Sequence, residues 1–438
     1  MRESSFNRQT LGDLMDALAI QVTTGFPFGG HNSNGDGEAH IRPFNVGTDG
    51  AIHLVQIKSI PIEAAFEKPR LQYGDIVFNN TNTKELAGKC ALWSSEERFV
   101  FSNHMTRIRP LKNSVDPAYL SFAIFHHWTT GKSEMLARSH VAQASIIGAR
   151  FREIEIPWPK VAEQKSIGQL LSQVQKAKRT ESSQHEQARK LKAETMSQLF
   201  TCGLHGAVQK ETEIGLMPES WAVDRLGTQH KVVSGGTPSR GNPAFWIGGT
   251  IPWAKTTEVN YCVITQTEEQ ITPEGLSGSA TKLLPVGTLL LAMYGQGVTR
   301  GRVAILGIEA ACNQACAAIT PKDDAIASKY FYHYLTWRYE AIRELAHGGQ
   351  QQNLNLDIVR NLQIAYPTDP DEQQEIIEIL DAIDQKIALH QQKESVLDEL
   401  FRSLLHKLMT GEISVEDLDL SALAYAEPQP KTEAEVQP

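Results

Sequence analysis

The chain repeats itself, and no other property constrains its fold as much. Glu163-Gln164-Lys165-Ser166-Ile167 returns 209 positions later as Glu372-Gln373-Gln374-Glu375-Ile376. Each copy opens a proline-free stretch with apolar residues at helical spacing, and the two stretches close on Thr201 and Thr410 at the same offset. Ahead of each copy lies a matching apolar-proline exit: Ile154, Ile156 and Pro159 against Leu362, Ile364 and Pro367. Further back, Gly74 to Phe78 pairs with Gly287 to Leu291, Gly88-Lys89 with Gly301-Arg302, and Leu11-Gly12 with Leu226-Gly227. The offset drifts from 215 to 208 along the half, as insertions in surface loops produce.

The order is therefore domain, helix, domain, helix. We place the domains at 1–157 and 206–367, the helices at 158–205 and 368–413, and an acidic tail, expected to stay disordered, at 414–438. With 438 residues and 41% hydrophobic content the chain can fill more than one core. Short β-type runs such as Val286 to Met293 and Arg302 to Leu306, each domain closing on an aromatic helical segment, predict an α+β fold of two similar mixed α/β domains. In the second helix Ile376, Leu380, Ile383, Ile387, His390, Glu394, Leu397, Phe401, Leu404 and Leu408 alternate in steps of four and three, the spacing of a coiled-coil seam. The first carries Ile167, Leu171 and Val174 at one end and Leu199 at the other, with Lys178, Glu181 and His185 between. A compact second domain returns the chain close to where it received it, so the helices should run antiparallel, with a pseudo-twofold relating the two halves.

Net charge is −9, which taken alone argues against nucleic acid. Yet residues 369–438 hold 5 basic against 17 acidic residues, leaving 37 against 34 over residues 1–368, a balance that permits DNA contact. Five scattered cysteines fit reduced thiols, and Cys312 with Cys316, lacking a nearby histidine pair, fit core packing better than zinc. No apolar run approaches the roughly 20 residues that span a bilayer, and the start has no signal-peptide pattern, so a cytoplasmic location is expected.

The ordered blocks resemble one family. Pro218-x-x-Trp221, Leu226-Gly227, Ser234-Gly235-Gly236-Thr237-Pro238-Ser239, Ile251-Pro252-Trp253, Pro285-x-Gly287, Asn313-Gln314, Gln350-Gln351-Gln352-Asn353 and the Glu372-Gln373 helix opening are similar, in that order, to specificity subunits of type I restriction-modification systems. In the first half Thr24-Gly25-Phe26-Pro27 stands for the Gly-Thr-Pro turn and Ile41-Arg42-Pro43 for Ile-Pro-Trp. The resemblance implies that each domain reads one part of a split, asymmetric DNA target, while the helices space those parts and dock two methyltransferase subunits. It also implies restriction subunits as further partners, with S-adenosylmethionine held by the methyltransferase, ATP and Mg by the restriction partner, and no cofactor by this chain.

Within that reading, Gly295-Gln296-Gly297-Val298-Thr299-Arg300-Gly301-Arg302 is the leading DNA-contact candidate. Glycines let backbone approach the duplex, glutamine can pair with adenine, and arginine can hold guanine or phosphate. We single out Gln296, Thr299, Arg300 and Arg302, with Arg300 expected to read and Arg302 to position; the bland alternative is an ordinary solvated turn. Asn79, Asn80, Asn82, Lys84 and Lys89 occupy the matching place in the first half. A second candidate joins Gln350 and Gln352 to His347, matched by His140 and Gln143; helix capping is the competing role. Lys255, Lys58 and Arg42 could hold phosphate or be solvated charge.

Two other classes stay open. Asn242-Pro243-Ala244-Phe245 approaches the Asn-Pro-Pro-aromatic motif of adenine methyltransferases, but it lacks the second proline and no glycine-rich cofactor turn precedes it, so a turn beside Trp246 fits better than a free-standing methyltransferase. A coiled-coil adaptor whose heads bind something other than DNA is the structural alternative. No catalytic or metal-ligating set emerges.

Overall fold

The computed structural model describes residues 6–418, apart from 140, 142, 205, 296, 324–326 and 347–352. The chain divides into two compact units, one of residues 1–182 with 392–438 and the other of residues 183–391. Each unit therefore holds one mixed α/β domain together with part of each long helix.

The first long helix, Val161–Cys202, and the second, Pro370–Thr410, both stop where a glycine enters the left-handed region, Gly203 at φ +66° and Gly411 at φ +72°. Within the first unit Lys178 pairs with Asp398 and Glu181 with Lys393, so residue numbers rise along one helix as they fall along the other. The helices are antiparallel there. In the second unit Lys192 of the first helix meets Asp384 of the second at 2.6 Å. These charges form the polar waist that Lys178 and Glu181 announce in the sequence.

The repeated Glu-Gln opening has a mechanical reason. Gln164 and Gln373 are buried, and their side-chain amides donate to the carbonyls of Pro159 at 3.0 Å and Pro367 at 2.8 Å. Each thereby ties the helix start to its domain's exit strand. A tyrosine hydroxyl seals the same joint, Tyr119 donating to the Pro157 carbonyl and Tyr330 to that of Ala365.

The two domains share one strand plan. In the first, an antiparallel sheet orders Ile20–Thr24, Met105–Pro110, Ile76–Asn79 and Cys90–Leu92; in the second, His230–Ser234, Cys316–Pro321, Leu289–Ala292 and Val303–Leu306 take those places, with Val263–Ile264 added at the edge. A smaller mixed sheet sets Glu38–Ile41 between Lys58–Ile60 and Val100–Phe101, as it sets Ile251–Ala254 between Glu269–Ile271 and Ala311–Cys312. A third ladder pairs entry with exit, Arg8–Thr10 with Glu155–Pro157 and Ala222–Arg225 with Gln363–Tyr366. Cys312 and Cys316 are buried in the second domain's core among Leu290, Ala304 and Leu306.

Glycines keep the plan rigid. A Cβ on Gly25 would lie 2.2 Å from the Phe101 carbonyl oxygen, and one on Gly235 would lie 2.2 Å from that of Asn313. Only glycine lets these backbones touch. Leu11-Gly12 and Leu226-Gly227 match as closely, since a Cβ on either glycine would meet an arginine Cβ, of Arg152 or Arg360, at 3.1 Å.

Strand register corrects one correspondence. Ile41 pairs with Phe101 and His40 with Val100, just as Ala254 pairs with Cys312 and Trp253 with Ala311. The structural partner of Trp253 is thus His40, and Ile251-Pro252-Trp253 aligns with Glu38-Ala39-His40 rather than with Ile41-Arg42-Pro43. Arg42 instead matches Lys255: each precedes a 3-10 turn, Pro43–Asn45 or Thr256–Glu258, whose third side chain accepts from its backbone N–H. The tail also begins later than residue 414. Ser414 caps a 3-10 turn at Val415–Asp417, and Val415 and Leu418 pack on the first core, while residues 419–438 lie outside the described ones.

Candidate nucleic-acid interface

In both domains one backbone hydrogen bond joins the two candidate segments. Ile146 N–H donates to the Asn80 carbonyl at 2.9 Å, and Leu354 N–H donates to that of Met293 at 3.1 Å. The loop following the strand Ile76–Asn79 and the segment around Gln143 therefore form one surface. In the first domain the strands Arg138–Ser139, Ala144–Ser145 and Thr81–Asn82 build it as a small sheet, with Ala144 opposite Asn82. Gln143 is exposed beside Asn82, which is half-buried and turns its side-chain oxygen to the Thr83 N–H at 2.8 Å. Lys84 is exposed and pairs with Glu134 at 3.6 Å.

Three first-domain candidates belong to the scaffold instead. Asn79 is fully buried and donates to the Pro43 carbonyl. Asn80 is buried too, donating to the Thr106 hydroxyl at 2.9 Å and the Asn103 carbonyl at 3.2 Å. Lys89 is 6% exposed, and burial lowers its pKa, partly opposed by Asp49. A buried amide that satisfies backbone groups cannot reach a duplex. Polarity in the sequence marked these positions, whereas packing on both faces of the strand Ile76–Asn79, every residue of which is buried, takes them and their neighbours inside.

In the second domain Gln296, Gln350, Gln352 and His347 lie outside the described residues, as does His140 in the first. The rest of the hairpin loop is braced from below. Arg343 donates to the Gly297 carbonyl at 2.7 Å and to the Tyr339 hydroxyl at 2.6 Å, and Tyr339 donates to the Val298 carbonyl at 2.5 Å. Gly297 and Gly301 adopt φ of +77° and +87°, and a Cβ on Gly301 would meet Arg343 at 3.0 Å. Thr299 and Arg300 are half-buried on this loop. Arg302 donates through Nη1 to the Asn260 side chain at 2.7 Å and lies over Tyr261, so one arm of its fork is engaged within its own domain.

The sequence reading missed the neighbouring turn. Arg240 lies 3.8 Å from the ring centroid of Trp246 and also faces Trp253, while pairing with Glu269. Thr237 and Gln314 are joined by a side-chain hydrogen bond, and Trp253 donates to the Gly236 carbonyl at 2.9 Å. Asn242, the first residue of the methyltransferase-like motif, uses its side-chain oxygen to cap the 3-10 turn Pro243–Phe245.

A profile described as type I restriction modification DNA specificity domain matches residues 48–189 and again 218–399. The chain belongs to that family. It is a DNA specificity subunit of a type I restriction-modification enzyme, and one matched stretch falls in each copy of the internal repeat. Among its relatives is the provisionally named type I restriction enzyme MjaX specificity subunit of Methanocaldococcus jannaschii, 25% identical over 80% of each chain. The EcoR124I/EcoR124II specificity subunit of Escherichia coli is 30% identical over 36% of this chain and 40% of its own. The crystal structure of an S subunit from M. genitalium shares the fold at TM-score 0.65 and 16% identity, over 93% of this specificity subunit and 98% of the other.

Proposed function

We propose that the first domain reads one part and the second the other part of a split, asymmetric DNA target. The chain itself is non-catalytic in this reading and works docked to methyltransferase and restriction subunits. The methyltransferase partner carries S-adenosylmethionine, and the restriction partner carries ATP and Mg. One observation supports two readers above all: equal strand registers present unlike side chains at equal half-exposed positions, such as Lys58 against Glu269 and Ala39 against Pro252. A shared scaffold with different surfaces suits two different sequences better than one sequence read twice.

Domain exchange tests it. Residues 206–367 would be replaced by the corresponding domain of a related subunit, the chimera assembled with its methyltransferase, and methylated adenines mapped. One part of the motif should change and the other persist. A change in both parts refutes independent readers, and methyl transfer by the isolated chain with labelled cofactor refutes the non-catalytic role.

A further inference from the structure

A cavity of about 660 Å³ opens in the first domain between Phe28, His31, Arg42, Phe44 and the turn Ser102 to His104. One wall is continuous with the candidate DNA-facing loop, because Asn80 and Thr81 N–H groups both donate to the His104 carbonyl. Phe44 stands at the mouth, 60% exposed. His31 and His40 are joined through ring nitrogens 2.8 Å apart, and Lys58 sits directly opposite His40 across the strand pair, on the same face. Burial lowers the pKa of His31, and the charges of Arg42, which lines the cavity, and Lys58 lower it further.

The second domain neutralises the same corner internally. Trp253 replaces His40, Lys255 replaces Arg42, and Glu269, opposite Trp253, replaces Lys58. There Glu269 pairs with both Arg240 and Lys255, and Glu268 pairs with Lys255 at 2.6 Å. Two cations are balanced by two carboxylates. In the first domain Glu38 is committed to Arg70, Asp36 to Asn34 and Asp49 to His53. Among the described residues no carboxylate pairs with Arg42 or Lys58. A partly buried cation without a counter-ion is costly, and an arriving anion relieves that cost.

We infer that this first-domain pocket receives a backbone phosphate of the DNA half-site, with Arg42 and Lys58 supplying the charge and Phe44 packing on the adjoining sugar. The inference rests on the two-reader proposal and adds an asymmetry to it: the first domain grips phosphate at a corner that the second neutralises internally. A phosphate contact positions the duplex without reading it.

The test uses the assembled specificity–methyltransferase complex and a duplex carrying the motif recovered by mapping methylated adenines. Arg42→Gln should weaken binding, leave the motif unchanged, and make the slope of log affinity against log salt shallower by about 0.9, the value for one phosphate. Lys58→Glu, which installs the second domain's charge, should weaken binding more. Arg42→Lys should restore most of the slope, and Lys255→Gln should leave it unchanged. On wild type, a scan of single uncharged methylphosphonates should find one position near the first half-site whose effect vanishes in the Arg42→Gln background.

An unchanged slope in a normally melting Arg42→Gln complex would overturn the inference. So would a motif relaxed at one base, which would make Arg42 a base reader, or Arg42-dependent competition by millimolar inorganic phosphate, which would make the occupant a free anion. If Arg42→Gln does not assemble, the methylphosphonate scan and Arg42→Lys decide between the same outcomes. A wild-type complex that shows no preference for the motif would instead strike the two-reader proposal itself.

Discussion

In the first unit Phe122 packs on Phe401 with ring centroids 5.9 Å apart, an apolar joint between domain and helix. At the matching positions of the second unit stand His333 and Lys192, and the joint is polar. His333 is fully buried and meets Asp381 at 3.1 Å, while Lys192 meets Asp384 at 2.6 Å. One scaffold thus seats its domain on the helices by two chemistries. The Phe122–Phe401 contact draws on dispersion and removal of surface from water and has no titrating group of its own, although His126 meets His406 at 3.3 Å between the same two helices. The polar one offsets desolvation by pairing charges, so it holds only while every partner is in place.

Phe401→Ala should have the largest effect, about 3–5 kcal/mol, because it empties a buried aromatic site against Phe122 and Phe125. Chemical denaturation followed by a probe in the first unit would measure it. A cost below about 1 kcal/mol would mean that the joint repacks and that the contrast between the units is smaller than drawn here.

Acid should act next and on both units, because burial also lowers the pKa of His40, His126 and His127 in the first unit to about 4. Burial, reinforced by the Lys192 charge and opposed by Asp381, holds the His333 pKa below its ordinary value. The unfolded chain then binds more protons than the folded one once pH drops below about 6.5, so the second unit loses stability as pH falls through that range. His333→Phe, which brings in the first unit's residue, should reduce the second unit's dependence, leaving the part that His230, also lowered by burial, contributes. Melting temperatures of both proteins at pH 7.5, 6.5 and 5.5 would show it, and parallel pH profiles would exclude His333 as the source.

The smallest effects sharpen the comparison between surface and scaffold within the first domain. Asn80→Ala should cost about 1–3 kcal/mol by stranding the groups it satisfies, with no change of motif. Gln143→Ala, at an exposed position, should stay within about 0.5 kcal/mol of wild-type stability while weakening DNA binding. A motif altered by Asn80→Ala would return that residue to the interface.

The linear order of residues determined much of this protein on its own. Gly12 with Gly227 and Gln164 with Gln373 recur because the same close approach and the same helix lock are needed twice, and a local requirement leaves a local mark. Two domains and two long helices follow from that repetition. The resemblance to specificity subunits rested on the same blocks, and their order carried over intact. Side-chain direction was another matter. Asn79, Asn80 and Lys89 look like a polar loop in one dimension, yet packing on both faces of their hairpin takes them into the core. The partner of Trp253 is His40 because hydrogen-bond register, a long-range property, sets the alignment of short strands and sequence similarity does not. Whether Arg42 and Lys58 meet a carboxylate depended on which strand lies opposite them, and only tertiary structure decides that.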